Sequence, residues 1–396
     1  MPSSLLSAVL RALISGIVLP TLFVAPLWGG ELPSAPRLLT PQWHKRVSAQ
    51  VTGLDLTWDG RMVAFTVAPI HPGDCNCLVV FDDTGRELWT TLEERKILGV
   101  SLSGDGQYAA IGLLDASIAL FSGKGRLLWR SKSVGLPSLA PHGEVLITFN
   151  SSGSSVASPL VEVFLPDGKR SWALRRKGGV WRAAISDQQD IFLSLWSGEV
   201  ILIDHRRRLA WQQSFPPGVM ALAISPEDAN YLAIGTGVLD QGLHLFERTG
   251  RLLWRRALPA GATEVSLARE GKFVLSYSNT IHGQRLSLYG RQGELLWTYH
   301  LQEPATESSK AVIVPHRNMI VAGIERDRQN YLQGFGLAGG LLWVAPVPGP
   351  IFDLRVSRDG RYVAAVTDDS LYFFDTHPAV GAEAALSPLQ EQPSAR

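Results

Sequence analysis

The sequence predicts an all-β protein, an eight-bladed β-propeller of four-stranded antiparallel blades. Three observations lead to this prediction. A seven-residue phrase centred on tryptophan recurs along the chain, it recurs at intervals of 39 to 46 residues, and each interval contains four short strand-like runs. Four strands in a repeat of about 40–45 residues are typical of a propeller blade.

The phrase reads "GRLLWRS" at residues 125–131 and "GRLLWRR" at residues 250–256. Its tryptophans are Trp89, Trp129, Trp172, Trp211, Trp254, Trp297 and Trp343, and Trp43 extends the series toward the N-terminus. We interpret the phrase as the outer strand of each blade. Glycine supplies the positive φ of the turn that enters the strand. The apolar pair and the tryptophan are expected to fill the space between neighbouring blades.

The other three strands are visible in the interval 100–131, where the runs "VSLS", "YAAIG" and "SIALF" precede "RLLWRS". Such short runs, separated by Gly- and Asp-containing segments, are typical of hairpin-linked antiparallel strands. The turn after the first strand recurs at residues 58–60, 104–106, 141–143, 187–189, 226–228, 269–271, 316–318 and 358–360. Eight such turns predict eight blades.

The last repeat stops after its third strand, whereas the N-terminal Trp43 strand has no repeat of its own. We therefore expect the ring to close by pairing of the N-terminal strand with the last blade, as its outermost strand. Closure of this kind removes the exposed edges that an open sheet would leave.

The propeller is expected to span residues 36–376. Residues 1–35 are interpreted as a signal peptide or short membrane anchor plus linker, because residues 12–28 are apolar and uncharged and could tether the chain to a membrane. Residues 377–396 are rich in Ala, Pro and polar residues and predict a disordered tail. The predicted location is periplasmic or otherwise extracytoplasmic, with the leader either cleaved or retained as an anchor. A cytoplasmic-facing domain is the alternative.

Charge and cysteine content limit the possible partners. With 37 basic and 36 acidic residues, the chain gives no electrostatic reason to expect nucleic acid, and we expect a monomer. The two cysteines, Cys75 and Cys77, leave three alternatives: a disulfide within a loop, free thiols, or a metal site completed by His71 and Asp74. An oxidising compartment favours the disulfide. We expect no metal and no role for these cysteines in the core.

The "G-x-L-L-W" strand, followed by an "S-x-D-G" turn, resembles the repeat of the eight-bladed pyrroloquinoline-quinone-type propellers, and its "DG" turns are similar to those of WD40 repeats. The resemblance covers about residues 40–376. It implies either a quinoprotein dehydrogenase or a non-enzymatic propeller similar to the lipoprotein of outer-membrane assembly. The family's quinone enzymes use adjacent cysteines and a calcium site. Here Asn76 separates the cysteines, and no matching set of calcium ligands is evident. We therefore expect no catalysis and no cofactor, with a quinone- or other cofactor-binding oxidoreductase as the alternative.

Loop lengths distinguish two faces of the predicted disc. Turns between the first and second strands, and between the third and fourth, are uniformly short and define the tight-turn face. Loops between the second and third strands, and between blades, vary in length and define the loop-rich face. Irregular loops on a rigid scaffold commonly carry binding. We therefore expect a protein or peptide partner of the cell envelope to bind the loop-rich face.

In the fourth blade, Trp181 and Trp196 do not fit the repeat, and both fall at strand ends on the loop-rich face. Tryptophan and arginine are enriched in interface hot spots. The predicted contact patch comprises Trp181, Trp196, Arg175, Arg176, Arg182 and, from a loop of another blade, Tyr331. The alternative is that both tryptophans only fill space between the fourth blade and its neighbours.

Overall fold

The structure is a computed structural model that describes residues 36–47, 49–69, 75–151, 158–216, 218–237, 239–280, 283–301, 310–314 and 316–377. The predicted leader at residues 1–35 lies outside the described residues, as does all of the predicted tail except His377. The described part consists of β-strands joined by turns and loops, with one short 3-10 turn at Arg269–Gly271.

The chain begins with β1 (Arg37–Leu38) and β2 (Trp43–Arg46) and then forms the first four blades in order. The first comprises β3 (Gln50–Leu56), β4 (Met62–Ala68), β5 (Cys77–Asp82) and β6 (Glu87–Leu92). The second comprises β7 (Ile97–Leu102), β8 (Tyr108–Leu113), β9 (Ser117–Ser122) and β10 (Leu127–Lys132). The third comprises β11 (Leu136–Leu139), β12 (Leu146–Phe149), β13 (Val161–Phe164) and β14 (Arg170–Leu174). The fourth comprises β15 (Val180–Ile185), β16 (Ile191–Leu195), β17 (Glu199–Ile203) and β18 (Leu209–Ser214).

The remaining blades follow the same order. The fifth comprises β19 (Val219–Ile224), β20 (Tyr231–Thr236), β21 (Gly242–Glu247) and β22 (Leu252–Ala257). The sixth comprises β23 (Glu264–Leu267), β24 (Phe273–Thr280), β25 (Gly283–Gly290) and β26 (Leu295–Leu301). The seventh comprises β27 (Ala311–Ile313), β28 (Met319–Arg326), β29 (Gln329–Gly336) and β30 (Leu341–Val347). The eighth begins with β31 (Asp353–Val356), β32 (Tyr362–Val366) and β33 (Ser370–Asp375).

The eighth blade takes its fourth strand from the N-terminus, so the predicted closure is confirmed. Strand β2 pairs antiparallel with β33, with Trp43 opposite Phe373 and Arg46 opposite Ser370. The Trp43 ring stacks on Phe373 at 4.9 Å between centroids. Strand β1 adds to the seventh blade instead, where it runs parallel to β30. The fold is therefore the predicted all-β propeller with eight four-stranded antiparallel blades.

The hydrophobic core lies between consecutive blades, because the second and third strands of each blade are covered on both sides. In the second blade, for example, five of the six residues of β8 and five of the six residues of β9 are buried. Large aromatic side chains of the third strands are almost inaccessible, including Phe164, Phe246, Phe335 and Phe373. Burial on both faces explains why these strands read as continuous apolar runs in the sequence.

The repeated phrase forms the main contact between blades at the outer wall. Its glycine has the predicted positive φ, +79° at Gly125, and the ring of the preceding blade's Trp89 packs directly against it. The ring nitrogen of that tryptophan donates a hydrogen bond to a carbonyl oxygen in the same turn. Five such bonds, at 2.8–2.9 Å, join Trp43 to Asp83, Trp89 to Gly123, Trp129 to Pro166, Trp254 to Arg291 and Trp297 to Leu337. The predicted role of these tryptophans between blades is confirmed.

The expectation for the apolar pair is wrong in part. Side chains at the first position of the pair are about half exposed, namely Leu127, Leu209, Leu252 and Leu295. The reason is geometric: the fourth strand is the outermost, so one of its faces has no further element to cover it.

Two junctions depart from the pattern. In the fourth blade, Arg207 occupies the glycine position with φ of +65°. At the junction of the seventh and eighth blades, the Trp343 ring packs against Gly334 of its own blade, and its buried Nε1 has no hydrogen-bond partner among the described residues. Strand β1 runs alongside at this point, with Arg37 in register with Trp343. The break in the pattern therefore coincides with the place where the two ends of the propeller meet.

Replacement of Gly125 by alanine is expected to destabilise the protein by about 2–3 kcal/mol, because a left-handed conformation is strained for alanine and overpacking adds to the cost. An alanine Cβ at this position would lie 2.7 Å from the Trp89 ring. Denaturant unfolding measures the change. Gly340→Ala is the matched control, since a Cβ at Gly340 meets nothing within 4 Å, and it should change stability by no more than about 0.5 kcal/mol. Equal effects of the two substitutions would contradict the assigned contact.

The two cysteines are joined as a disulfide, with Cα atoms 5.5 Å apart. His71 and Asp74, the other proposed metal ligands, lie outside the described residues. Cys77 is the first residue of β5, is 3% exposed, and belongs to the same apolar cluster as Phe65 and Phe81. The expectation that neither cysteine has a role in the core is therefore wrong for Cys77. Cys77 begins a strand that is buried on both faces, so its side chain packs in the core.

Candidate functional site

The loop-rich face carries exposed apolar side chains as well as irregular loops. These side chains lie at strand ends or in the loops of five blades, and their exposed fractions range from 39% to 74%: Leu92, Leu114, Leu136, Leu239 and Phe352.

Two tryptophans of the fourth blade pack against each other at this face. Strands β15 and β16 are antiparallel with Val180 opposite Leu195, so Trp181 and the residue after β16, Trp196, lie at the same end of the sheet. Their ring centroids are 4.0 Å apart and the ring planes are inclined by 53°. The indole nitrogen of Trp196 donates a hydrogen bond of 3.1 Å to the carbonyl oxygen of Ser151 in the third blade.

Exposure separates Trp196 from the tryptophans of the repeat. Trp196 is 55% exposed, whereas the repeat tryptophans are half-buried or buried, and Trp181 is half-buried like most of them. Exposure therefore distinguishes only Trp196 from a tryptophan that packs between blades. The Trp196 indole is held by one hydrogen bond and one aromatic neighbour, with more than half of its surface in solvent.

The predicted arginines differ in their surroundings. The Arg182 guanidinium lies 4.7 Å from the centroid of the Trp181 ring, and its Nε donates a 3.0 Å hydrogen bond to the carbonyl oxygen of Met220 in the fifth blade. Arg176 forms an ion pair of 3.0 Å with Glu199. Arg175, next to it in the connection between the third and fourth blades, is exposed. Residues Arg175, Arg176, Trp181, Arg182 and Trp196 are called the aromatic–arginine patch below.

Tyr331 lies away from this patch. It lies in β29 of the seventh blade, and the fifth and sixth blades separate it from the fourth. Its hydroxyl donates a 2.7 Å hydrogen bond to Gln329, and we find no contact between Tyr331 and the two tryptophans in the described part of the chain.

A second cluster, absent from the predictions made above, closes the tight-turn end of the central channel. The eight turns that follow the first strands each contribute a charged or aromatic side chain: Trp58, Asp105, His142, Asp187, Glu227, Arg269, His316 and Arg358. Arg358 of the eighth blade forms an ion pair with Asp187 of the fourth. Glu227 accepts contacts from Arg269 at 2.5 Å and from His316 at 3.4 Å. An alignment of the eight turns contains this signal, because a charged or aromatic residue occupies the first or second position of every turn.

Two carboxyl groups near this end have pKa values raised by their surroundings. Burial raises the pKa of Asp187, and the positive charge of Arg358 acts in the opposite direction. Burial also raises the pKa of Asp55, again against the charge of a neighbouring arginine, Arg355, whose Nε lies 3.5 Å away. The channel end is thus a partly desolvated site with two carboxylates that each face a guanidinium, an arrangement suited to holding cations.

The closed ring of four-stranded blades, together with the glycine–tryptophan contact repeated between them, defines an eight-bladed propeller built from pyrroloquinoline-quinone-type repeats. The chain belongs to the family described as outer membrane protein assembly factor BamB, which its residues 78–369 match. No curated protein sequence matches the chain.

Solved structures share the fold at low sequence identity. Sqt1 from Chaetomium thermophilum, bound to the N-terminus of the ribosomal protein L10, matches with a TM-score of 0.67 and 12% identity over 83% of this chain and 97% of that one. BamB from Moraxella catarrhalis matches with a TM-score of 0.60 and 15% identity over 85% and 99% of the two chains. Sqt1 from Saccharomyces cerevisiae matches with a TM-score of 0.65 and 10% identity over 86% and 98%. Among the described residues, no helix has the length and apolarity needed to cross a membrane.

Proposed function

We propose that this chain is an exported, monomeric scaffold that binds a protein or peptide partner of the cell envelope through its loop-rich face, without catalysis and without a cofactor. The observation that carries the proposal is the exposed Trp196 ring, which packs against Trp181 beside Arg182. Tryptophan and arginine contribute more binding energy than other residue types when a partner covers them.

Two side chains of the patch already have contacts within the chain. Trp196 is held by its hydrogen bond to Ser151, and the Arg182 guanidinium is held between the Trp181 ring and the carbonyl oxygen of Met220. Side chains that are already fixed lose little conformational freedom on binding, so more of their contact energy appears as affinity. The positions of Ser151 and Met220 in the neighbouring blades also mean that three blades support the patch.

The comparisons agree with binding as the function. The family is described by a role in assembly of outer membrane proteins. A propeller of the same fold, Sqt1, binds the N-terminal segment of another protein. These relationships support a scaffold that holds a protein segment, and the patch supplies a place for the contact.

Export rests on different observations. Residues 12–28 form an apolar, uncharged segment, and the family is described as an outer membrane protein assembly factor. The disulfide between Cys75 and Cys77 is consistent with an oxidising compartment, because cytoplasmic thiols are normally kept reduced.

Replacement of Trp196 by alanine tests the proposed contact. We expect partner affinity to fall by about 30-fold or more, equivalent to about 2 kcal/mol, while the melting temperature changes by less than about 1 °C. The partner is first captured from an envelope fraction by cross-linking, and its affinity for the purified variants is then measured by calorimetry. Leu209→Ala is the matched control, because Leu209 is 56% exposed in the same blade but lies on the outer wall. Unchanged affinity in the Trp196 variant would contradict the proposed site.

A further inference from the structure

The channel contains a cavity of about 240 Å³ just inside the tight-turn end. Its lining is mainly polar and includes Asp55, Asp187, Ser101, Ser138 and Trp58. These residues come from the inner strands and first turns of the first four blades. The cavity lies at the opposite face from the aromatic–arginine patch.

Arg358 contacts this site from the eighth blade, next to the first, where its backbone N–H donates a 2.9 Å hydrogen bond to the carbonyl oxygen of Trp58. Its Cζ atom lies 3.2 Å from the centroid of the Trp58 ring, and its Nη2 forms an ion pair with Asp187. The Trp58 ring also packs against Gly104 of the second blade, where a Cβ atom would come within 2.4 Å of the ring. The indole therefore contacts both a backbone surface and a guanidinium.

An aromatic face beside a carboxylate is a recognition site for guanidinium groups. The planar cation stacks on the ring while its N–H groups donate to the carboxylate oxygens. Besides burial and Arg358, Glu227 acts to raise the pKa of Asp187 and His316 acts to lower it. The Trp58 ring and the Asp187 carboxylate both favour a cation at the position that Arg358 occupies.

The contact is accessible from solvent. The side chain of Arg358 is 22% exposed, that of Asp187 is 26% exposed, and Trp58 is half-buried. Arg358 also lies in a turn at the tight-turn end of the channel rather than within a strand. Its side chain can therefore leave the site without disruption of the sheet.

We propose that the tight-turn end of the channel is a second binding site, which accepts the guanidinium group of an arginine side chain from a partner, and that Arg358 fills this site as an internal ligand in the unliganded chain. The site is independent of the function proposed for the loop-rich face. Binding requires that the incoming arginine displace Arg358. The apparent association constant of the native chain is therefore the intrinsic constant multiplied by the fraction of time that the site is free of Arg358.

The Arg358→Ala variant tests the proposal. Removal of the internal ligand leaves Trp58 and Asp187 in place, and we expect the variant to bind N-acetyl-arginine amide at least about tenfold more tightly than the native chain. Methylguanidinium at about ten times its dissociation constant should raise the melting temperature of the variant by about 2 °C. Methylguanidinium at the same concentration should not raise the melting temperature of the native chain. N-acetyl-lysine amide controls for charge alone, and free L-arginine distinguishes a free amino acid from a peptide-borne side chain.

The double variant Arg358→Ala, Asp187→Asn should lose the gain in affinity and the rise in melting temperature. Equal affinities and equal changes in melting temperature for Arg358→Ala and the native chain, with all of these compounds, would overturn the proposal. If Arg358→Ala does not fold, binding of N-acetyl-arginine amide to the native chain is compared with binding to Asp187→Asn. A loss of about tenfold or more in Asp187→Asn then supports the proposal, and equal binding overturns it.

Discussion

Removal of residues 1–48 is expected to prevent formation of a stable eighth blade and to lower the melting temperature by about 10 °C or more, if the chain folds at all. The deletion removes β2, whose Trp43 stacks on Phe373, lies 5.7 Å from Phe81 and donates a hydrogen bond to the carbonyl oxygen of Asp83. Loss of a packed tryptophan alone costs about 3–5 kcal/mol, against a total stability of about 5–15 kcal/mol. The exposed edge of β33 would also become available for aggregation.

Removal of residues 1–35 is the control, because it keeps both β1 and β2. This shorter deletion should leave the melting temperature within about 1 °C of that of the full chain. The melting temperature of the point variant Trp43→Ala should lie between those of the two deletions. Thermal unfolding followed by circular dichroism compares all three proteins. Identical melting temperatures for the two deletions would show that β2 does not close the ring.

Replacement of Arg248 by methionine is expected to cost about 3–5 kcal/mol of stability, because it leaves a buried carboxylate without its partner. Asp190 immediately precedes β16 in the fourth blade and is fully buried. Arg248, in the turn after β21 of the fifth blade, binds both carboxylate oxygens at 2.6 Å. The backbone N–H of His205 donates a third hydrogen bond to the same carboxylate. Urea unfolding of the purified variants measures the loss.

A neighbouring arginine supplies the control for Arg248. Arg251 belongs to the same turn and pairs with Glu247 at the surface, so Arg251→Met should cost no more than about 1 kcal/mol. The double variant Asp190→Leu, Arg248→Met removes both charges and should recover much of the loss, since apolar replacement of a whole buried pair is often neutral. A double variant less stable than Arg248→Met alone would contradict this account of the pair.

The fold could be predicted from the sequence because both residue types of the contact between blades, glycine and tryptophan, recur in one short phrase. Gly125 and Trp129 lie four residues apart in one phrase, and the repetition of that phrase gives the number and order of blades. The direction of the contact was not evident from the spacing. Six of the eight tryptophans pack against the glycine of the next blade, as Trp89 does against Gly125, and only the ring geometry establishes that pairing.

The candidate site was predictable where the relevant residues share one hairpin. Trp181 and Trp196 belong to adjacent antiparallel strands, so their register follows from the strand ends. Tyr331 was grouped with them on the basis of a shared face, and a face of an eight-bladed ring extends over widely separated blades. The contact between Arg358 and Asp187 spans 171 residues, and it depends on the width of the channel and on the rotamer of a long side chain. A local sequence pattern determines neither of these quantities.

Pairing of Trp43 with Phe373 also sets the order in which the protein can fold. The other seven blades are assembled from strands that follow one another in the chain, whereas this pair is separated by 330 residues, the difference between 373 and 43. Non-local contacts of this kind form late, because a long loop must close before they contribute. During synthesis from the N-terminus, β2 is made first among the strands of the eighth blade and has no partner until β33 is complete. For that interval its apolar tryptophan and its backbone edge are available to a second copy of the chain, and exchange of this strand between two copies would give a domain-swapped dimer.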